Sequence, residues 1–190
     1  MNETKPVLQV VIASTRPGRV GPAFAGWFVK VADDHGGFAV ETVDLAEVGL
    51  PFLDEPKHPK LRQYQHQHTK DWSATVDRAD AFVFVTPEYN YGYNAVLKNA
   101  IDFLHQEWAD KAVSFLSYGG IGAGTRAVQQ LKQVVTTLRM VPIFESINVS
   151  FAAQKLTAGG QLAPDRLMDE AAAVMLDELL RVTKALRPNR

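Results

Sequence analysis

The chain alternates short apolar runs with longer stretches of helical periodicity, and this alternation admits few architectures. Residues 7–13 (VLQVVIA), 81–86 (AFVFVT) and 112–118 (AVSFLSY) are almost wholly apolar, and the first is broken only at Gln9. Residues 38–45 alternate like a strand through Phe38, Val40, Thr42 and Asp44, and residues 140–149 supply a fifth. Between and after the strands lie five helical segments. Residues 21–34 place Phe24, Trp27, Phe28 and Val31 at helical spacing, with Gly36 and Gly37 as the stop. Residues 61–79 are polar on most faces, and residues 95–104 and 125–138 follow. The last, 164–186, sets Leu167, Ala171, Val174, Met175, Leu179 and Val182 at core spacing. Apolar runs of this length between helices predict a parallel sheet covered on both faces. The expectation is one domain over residues 1–190, a three-layer α/β/α sandwich whose five-stranded parallel sheet has the order 2-1-3-4-5.

Composition removes several functions. The 190 residues contain no cysteine, which excludes disulfides, thiolate nucleophiles, iron–sulfur clusters and Cys-based zinc sites. Redox chemistry in this chain therefore needs a bound cofactor. Lys plus Arg is 20 against 21 Asp plus Glu, so no basic patch points to a nucleic acid. No apolar run is long enough to span a bilayer. Residues 1–6 are polar and lack a signal-peptide core, which leads to a cytoplasmic expectation.

In a doubly wound sheet, ligands lie beyond the carboxyl ends of the strands. After strand one come Ser14, Thr15, Arg16, Pro17, Gly18, Arg19, Val20 and Gly21, leading into a helix. Hydroxyls, guanidiniums and a helix N-terminus together suit a phosphate, although an ordinary strand–helix turn with a serine cap has a similar composition. The loop matches neither GxGxxG nor GxxxxGK[ST], which excludes the dinucleotide fingerprint and the P-loop. After strand three, Pro87, Glu88, Tyr89, Asn90, Tyr91, Gly92, Tyr93 and Asn94 offer flat apolar faces with polar edges, fit for a planar heteroaromatic ring. Asn94 is also placed to cap the next helix. After strand four, Ser117 and Tyr118 precede Gly119, Gly120, Gly122 and Gly124, a density that implies close backbone approach or positive φ. The amides of Gly119 and Gly120 are candidate neutral donors to a reduced ring. The alternatives are a Tyr-rich packing turn and a glycine hinge.

Taken together, the STRPG segment at 14–18, TPEYN at 86–90, the run NAVLKNAIDFL at 94–104 and YGGIGAG at 118–124 resemble the NADPH-dependent FMN reductase family, which includes quinone, chromate and azo-dye reductases. The resemblance covers residues 7–151 and implies a flavodoxin-like fold. It implies an FMN phosphate held by Ser14, Thr15, Arg16 and the loop through Val20 and Gly21. The isoalloxazine would be lined by Pro87, Glu88, Tyr89 and Asn90, and its other edge closed by Ser117, Tyr118, Gly119 and Gly120. The sequence departs from commoner family members at residues 18–22, so one phosphate donor is absent or supplied by Arg19. The implied activity is ping-pong hydride transfer from NADPH or NADH through bound FMN to a small acceptor, with no obligatory side-chain acid or base. Arg19, or Arg126 as second candidate, would read the 2′-phosphate of NADPH from the pocket mouth. A homodimer or homotetramer is implied as well.

His58, His66 and His68 are read as solvated polarity, with His66 and His68 on different sides of a helix, and no metal is assigned. Asp54 and Glu55 are read as a polar loop. Trp72 and Trp108 fit core, interface or pocket wall equally. Two rival functions stay open from sequence: a non-enzymatic flavodoxin-type electron carrier, and a flavin-free binding domain on the same fold.

Overall fold

A computed structural model describes residues 4–189; residues 1–3 of the polar opening segment lie outside them. The first strand, β1 (Val7–Ile12), is central, with β2 (Ala39–Asp44) on one side and β3 (Ala81–Pro87) on the other, both parallel to it. Next comes β4 (Ala112–Tyr118), parallel to β3. The expected fifth strand is in two pieces, β5 (Val141–Pro142) and β6 (Ile147–Val149), each parallel to β4. The order 2-1-3-4-5 holds, with the fifth position shared. The interruption has a local cause. Ser114 Oγ, in the middle of β4, donates to the Glu145 carbonyl at 2.7 Å and draws the chain out of the ladder. Pro142 has no N–H to give.

Strand alternation divides the core into two layers. Val83 and Val85 pack with Phe24 and Phe28 of α1 (Gly21–His35) and Met175 and Leu179 of α6 (Arg166–Leu186). Phe82 and Phe84 face the opposite layer, which contains α3 (Gln67–Asp77), α4 (Ala95–Asp102) and α5 (Thr125–Thr137). Every residue of β3 and β4 is buried, as a sheet covered on both faces requires. Trp72 and Trp108 are core residues here, edge to face at 6.0 Å, with indole N–H groups donating to the carbonyls of Ala100 and Ile101.

Three further readings are corrected. The helix expected from residue 61 begins at Gln67, because Glu55 accepts the amides of Gln65 (2.8 Å) and His66 (3.0 Å) and holds the preceding chain extended. That start makes His66 the N-cap, and its ring stacks on His68 at 5.2 Å instead of diverging from it. His68 pairs with Asp54 at 2.9 Å, so the segment read as a polar loop is tied to α3. In α6 the buried face is Met168, Ala172, Met175, Leu176, Leu179 and Thr183, while Leu167 and Val174 are 68% and 56% exposed. Met175 and Leu179 of the expected stripe are buried and Ala171 and Val182 pack partly against the same core, while Met168, Ala172, Leu176 and Thr183 complete the buried face in place of Leu167 and Val174. A one-turn helix, α2 (Leu45–Val48), follows β2 and is capped by the Asp44 carboxylate.

Candidate active site

Register brings the three loops to one edge. Ile12 lies beside Val85, and Thr86 and Pro87 lie beside Ser117 and Tyr118. The Ala13 amide donates to the Val85 carbonyl and the Glu88 amide to the Tyr118 carbonyl, each at 3.0 Å, so the strands are still laced as they turn outward.

The first loop is tightly determined. Arg19 donates through both terminal nitrogens to the Asp44 carboxylate, at 2.5 and 2.6 Å, and one of them also reaches the Ser14 carbonyl at 2.8 Å. Burial raises the Asp44 carboxyl. The Arg19 hydrogen bonds, the Ala46 amide and the guanidinium charge outweigh this and hold it below its ordinary value. Arg19 therefore does not point over the pocket mouth, as a reader of a 2′-phosphate would have to. It ties the loop to the end of β2. Thr15 and Arg16 are exposed, and α1 begins at Gly21 with no side-chain cap and no acid in its first turn. Pro22 has no N–H and the Ala23 amide donates to the Val20 carbonyl at 3.0 Å, so among the described residues the Gly21 amide is the one in that turn left without a protein acceptor.

Ser14 is buried, with Oγ 2.7 Å from the Tyr89 hydroxyl. Tyr118 is also buried; its ring stacks on Phe24 with centroids 4.9 Å apart. A Cβ on Gly21 would stand 3.0 Å from the Tyr118 hydroxyl, so glycine is what lets α1 start this close. Burial pushes the Tyr118 phenol up, against the opposing pull of Arg19 and Arg16. Tyr118 thus belongs beneath the first loop, on the α1 side, rather than at the edge of a ring pocket.

The third-strand loop is a tight turn. Tyr89 and Gly92 exchange backbone hydrogen bonds at 2.9 Å, and Asn90 and Tyr91 between them take φ of 49° and 72°. Two successive positive φ values define the I′ geometry. Asn94 accepts the Leu97 amide at 2.9 Å and caps α4 as its position predicts, while its amide group donates to Thr86 at 3.3 Å. Glu88 turns toward α5, where it meets the Arg126 guanidinium at 2.7 Å and the Arg126 backbone N–H at 3.1 Å. The other candidate reader of a 2′-phosphate is therefore engaged too.

In the glycine loop the two candidate amides differ. The Gly119 N–H donates to the Val149 carbonyl of β6 at 3.1 Å, so it is not available to a ligand. Among the described residues no protein acceptor takes the Gly120 N–H, and a Cβ there would meet nothing within 4 Å. Ser117 Oγ lies 2.8 Å from both the Ala123 carbonyl and Asn148 Oδ1 and folds the loop back. Gly124 has φ of 82°, and a Cβ on it would stand 2.6 Å from that of Ser117.

The register thus brings the loops that carry Ser14, Thr15, Arg16, Val20, Gly21, Pro87, Tyr89, Asn90 and Gly120 to one edge of the sheet, and turns Arg19, Glu88 and the Gly119 amide to protein partners. Asp44 was missed by sequence reasoning. Its signal was a carboxylate ending strand two, which the order 2-1-3 puts beside strand one and its two arginines. A cavity of about 690 Å³ lies at the opposite end of the sheet. Charges in its lining pair among themselves, Arg139 with Asp110 and Arg187 with Asp80, and ligands of such sheets lie at the carboxyl ends. Among the described residues no group of three or more His, Cys, Asp or Glu side chains could hold a metal, and no helix is long and apolar enough to cross a membrane.

Sheet order and layering define a flavodoxin-like α/β protein, with the loops after β1, β3 and β4 at one edge of the sheet. Solved flavoenzymes share the fold. FerB, a flavoenzyme NAD(P)H:(acceptor) oxidoreductase from Paracoccus denitrificans, superposes with a TM-score of 0.76 at 19% identity, covering 95% of this chain and 98% of that one. The family model for NADPH-dependent FMN reductases matches residues 7–154, and the chain belongs to that family. An NAD(P)H-dependent FMN reductase of Schizosaccharomyces pombe is 42% identical over 137 residues, 71% of this chain and 68% of the relative. One from Saccharomyces cerevisiae is 35% identical over 142 residues, 69% of this chain and 74% of the relative. The protein is an oxidoreductase that uses FMN and a reduced nicotinamide.

Proposed function

We propose that FMN lies along the crevice with its phosphate at the first loop and its ring system between the 87–93 turn and Gly120. One observation supports this above the others. Strand register brings the uncapped first turn of α1, beside Ser14 and Arg16, and the unbonded amide of Gly120 to the same edge of the sheet. The flavin supplies hydride chemistry when bound, and the protein supplies binding, orientation and electrostatics. Arg16 contributes a charge-assisted contact to the phosphate, and Ser14, Thr15 and the amides of Val20 and Gly21 complete its donors. Pro87, Tyr89 and Asn90 form the ring wall, with Glu88 behind it. Ser117, Tyr118 and Gly119 act as supports: Ser117 fixes the glycine loop, Tyr118 underpins α1, and Gly119 anchors to β6.

No side chain in this arrangement is placed as an obligatory acid or base. Nicotinamide and acceptor use the same open face in turn, which gives ping-pong kinetics. Acceptors of the proposed class are quinones, free flavins, azo compounds and metal oxyanions, reduced in the cytoplasm by a single-domain chain.

The proposal includes a homodimer or homotetramer. Phe52, Leu53 and Tyr91 are 84%, 42% and 65% exposed. The loop holding Phe52 and Leu53 is fastened to α4 through Asn99, which donates to the Pro51 carbonyl and accepts the Leu53 amide. These apolar side chains flank the ring end of the crevice, where a second copy would cover them. Sedimentation showing only monomer at micromolar concentration would reject the assembly.

The decisive experiment is the visible spectrum of the purified protein, followed by anaerobic bleaching with NADPH and with NADH. A flavin spectrum bleached by nicotinamide is expected. Protein that takes up no FMN on titration would sink the reading.

A further inference from the structure

Around the crevice one group of side chains is not used by the reading above. Glu88 opens the 87–93 turn with only 10% of its side chain exposed, and it carries a charge at the base of the wall assigned to the ring. Its carboxylate is matched by one cation, the Arg126 guanidinium at 2.7 Å, and by the backbone amide of the same residue in the first turn of α5. Acids are favoured at that end of a helix. The same guanidinium lies 3.9 Å from the ring centroid of Tyr91, the exposed tip of the turn. Gln130, one helical turn along α5, donates to the Tyr91 carbonyl at 2.9 Å. Gly122 gives the guanidinium its room, because a Cβ there would collide with it. One residue thus neutralises the carboxylate at the base of the turn and covers the aromatic ring at its tip.

We propose that Arg126 is a positioning residue that sets the reduction potential of the bound flavin, by cancelling the charge of Glu88 and clamping the Tyr91 turn as a neutral wall. This rests on the placement of the ring between the 87–93 turn and Gly120. Two-electron reduction by a hydride leaves the ring system with one additional negative charge, so an uncompensated carboxylate in the wall disfavours reduction and an uncompensated guanidinium favours it. At the separations across such a wall, the effect of one charge is about tenfold in the reduction equilibrium, which is about 30 mV for a two-electron couple.

The test is the midpoint potential of FMN-loaded protein, together with FMN affinity of the apoprotein, for Arg126→Gln, Glu88→Gln, the double variant and Arg126→Lys. The potential should fall in Arg126→Gln, rise in Glu88→Gln and return near wild type in the double variant. In Arg126→Lys, which keeps the charge and loses the planar stack, the potential should hold while FMN dissociates faster. A purely structural clamp predicts otherwise: shifts of one sign in all variants, or none, overturn the proposal. Should Arg126→Gln fail to fold, the opposite behaviour of Glu88→Gln and Arg126→Lys decides. Arg16→Ala separates the two levels of the argument. Unchanged FMN affinity in that variant refutes the crevice assignment itself, whereas weakened affinity with no opposed potential shifts refutes only the role of Arg126.

Discussion

Arg19 and Arg126 each join a crevice loop to a neighbouring element through a carboxylate, but the two pairs are built differently. Arg19 is held along both edges by Asp44 and bonded to the Ser14 carbonyl, with side-chain exposures of 20% and 11% for the pair. Arg126 is 36% exposed, touches Glu88 through one nitrogen and lies on a tyrosine that faces solvent. The first arrangement fixes the course of a backbone. The second leaves a turn of two positive-φ residues resting against a mobile type of side chain. In the proposed placement of FMN the phosphate end is therefore pre-shaped, and the ring end can adjust. That division suits an enzyme whose cofactor stays while two kinds of substrate exchange over it.

Removing the rigid pair should have the largest effect. Asp44→Asn leaves a partly buried guanidinium with half its partners and should cost about 2–3 kcal/mol of stability, with a parallel loss of FMN affinity. Nicotinamide preference should be unchanged, because Arg19 does not reach the pocket mouth. Urea unfolding and FMN titration measure the first two, and steady-state rates with NADPH and NADH the third. The same pair sets an acid limit. The Asp44 carboxyl is lower in the folded chain than in the unfolded one, so its stabilisation is complete above the ordinary carboxylate value near 3.9. It is lost as pH falls through the depressed folded value. The stability gap between wild type and Asp44→Asn should be flat from pH 7 to about 5 and close below about 4. A gap that grew in acid would contradict the pairing.

Arg16→Ala should follow, weakening FMN binding by about 1.5–3 kcal/mol. The exposed side chain predicts an unchanged melting temperature for the apoprotein, so loss of stability here would mean the first loop is not pre-shaped without it. Smallest is Tyr89→Phe, which removes the hydroxyl facing Ser14. It should cost the apoprotein about 1 kcal/mol, or about 2–4 °C in melting temperature. A larger drop would show that the ring end is as rigid as the phosphate end.

What the sequence revealed and concealed follows from range. Strand alternation, the density of glycines after strand four and the Asn94 cap were legible, because each depends on residues within about ten positions of one another. The pairs Arg19–Asp44 and Glu88–Arg126 were not: Arg19, Glu88 and Arg126 were read as cofactor contacts and Asp44 as a strand residue, and the match needs the strand order first. The break between β5 and β6 was hidden as well, because the bond from Ser114 to the Glu145 carbonyl joins residues 31 positions apart. The α6 stripe was right at Met175 and Leu179 and wrong at Leu167 and Val174 for a different reason: the helix's apolar residues cover more than one face, and periodicity alone does not choose which is centred on the sheet.

The split role of Gly119 and Gly120 makes the glycine loop a pair of adjacent reporters with different clocks. The Gly119 amide is a rung of the ladder to Val149, so its hydrogen exchanges with solvent only when β6 parts from β4. Gly120, one peptide further, is exposed with no protein acceptor among the described residues, and its amide exchanges freely until something covers it. Exchange at the first measures the opening of the sheet edge, and exchange at the second measures occupancy of the crevice. FMN should slow Gly120 far more than Gly119, so the two neighbouring amides separate ligand binding from breathing of the scaffold in a single spectrum.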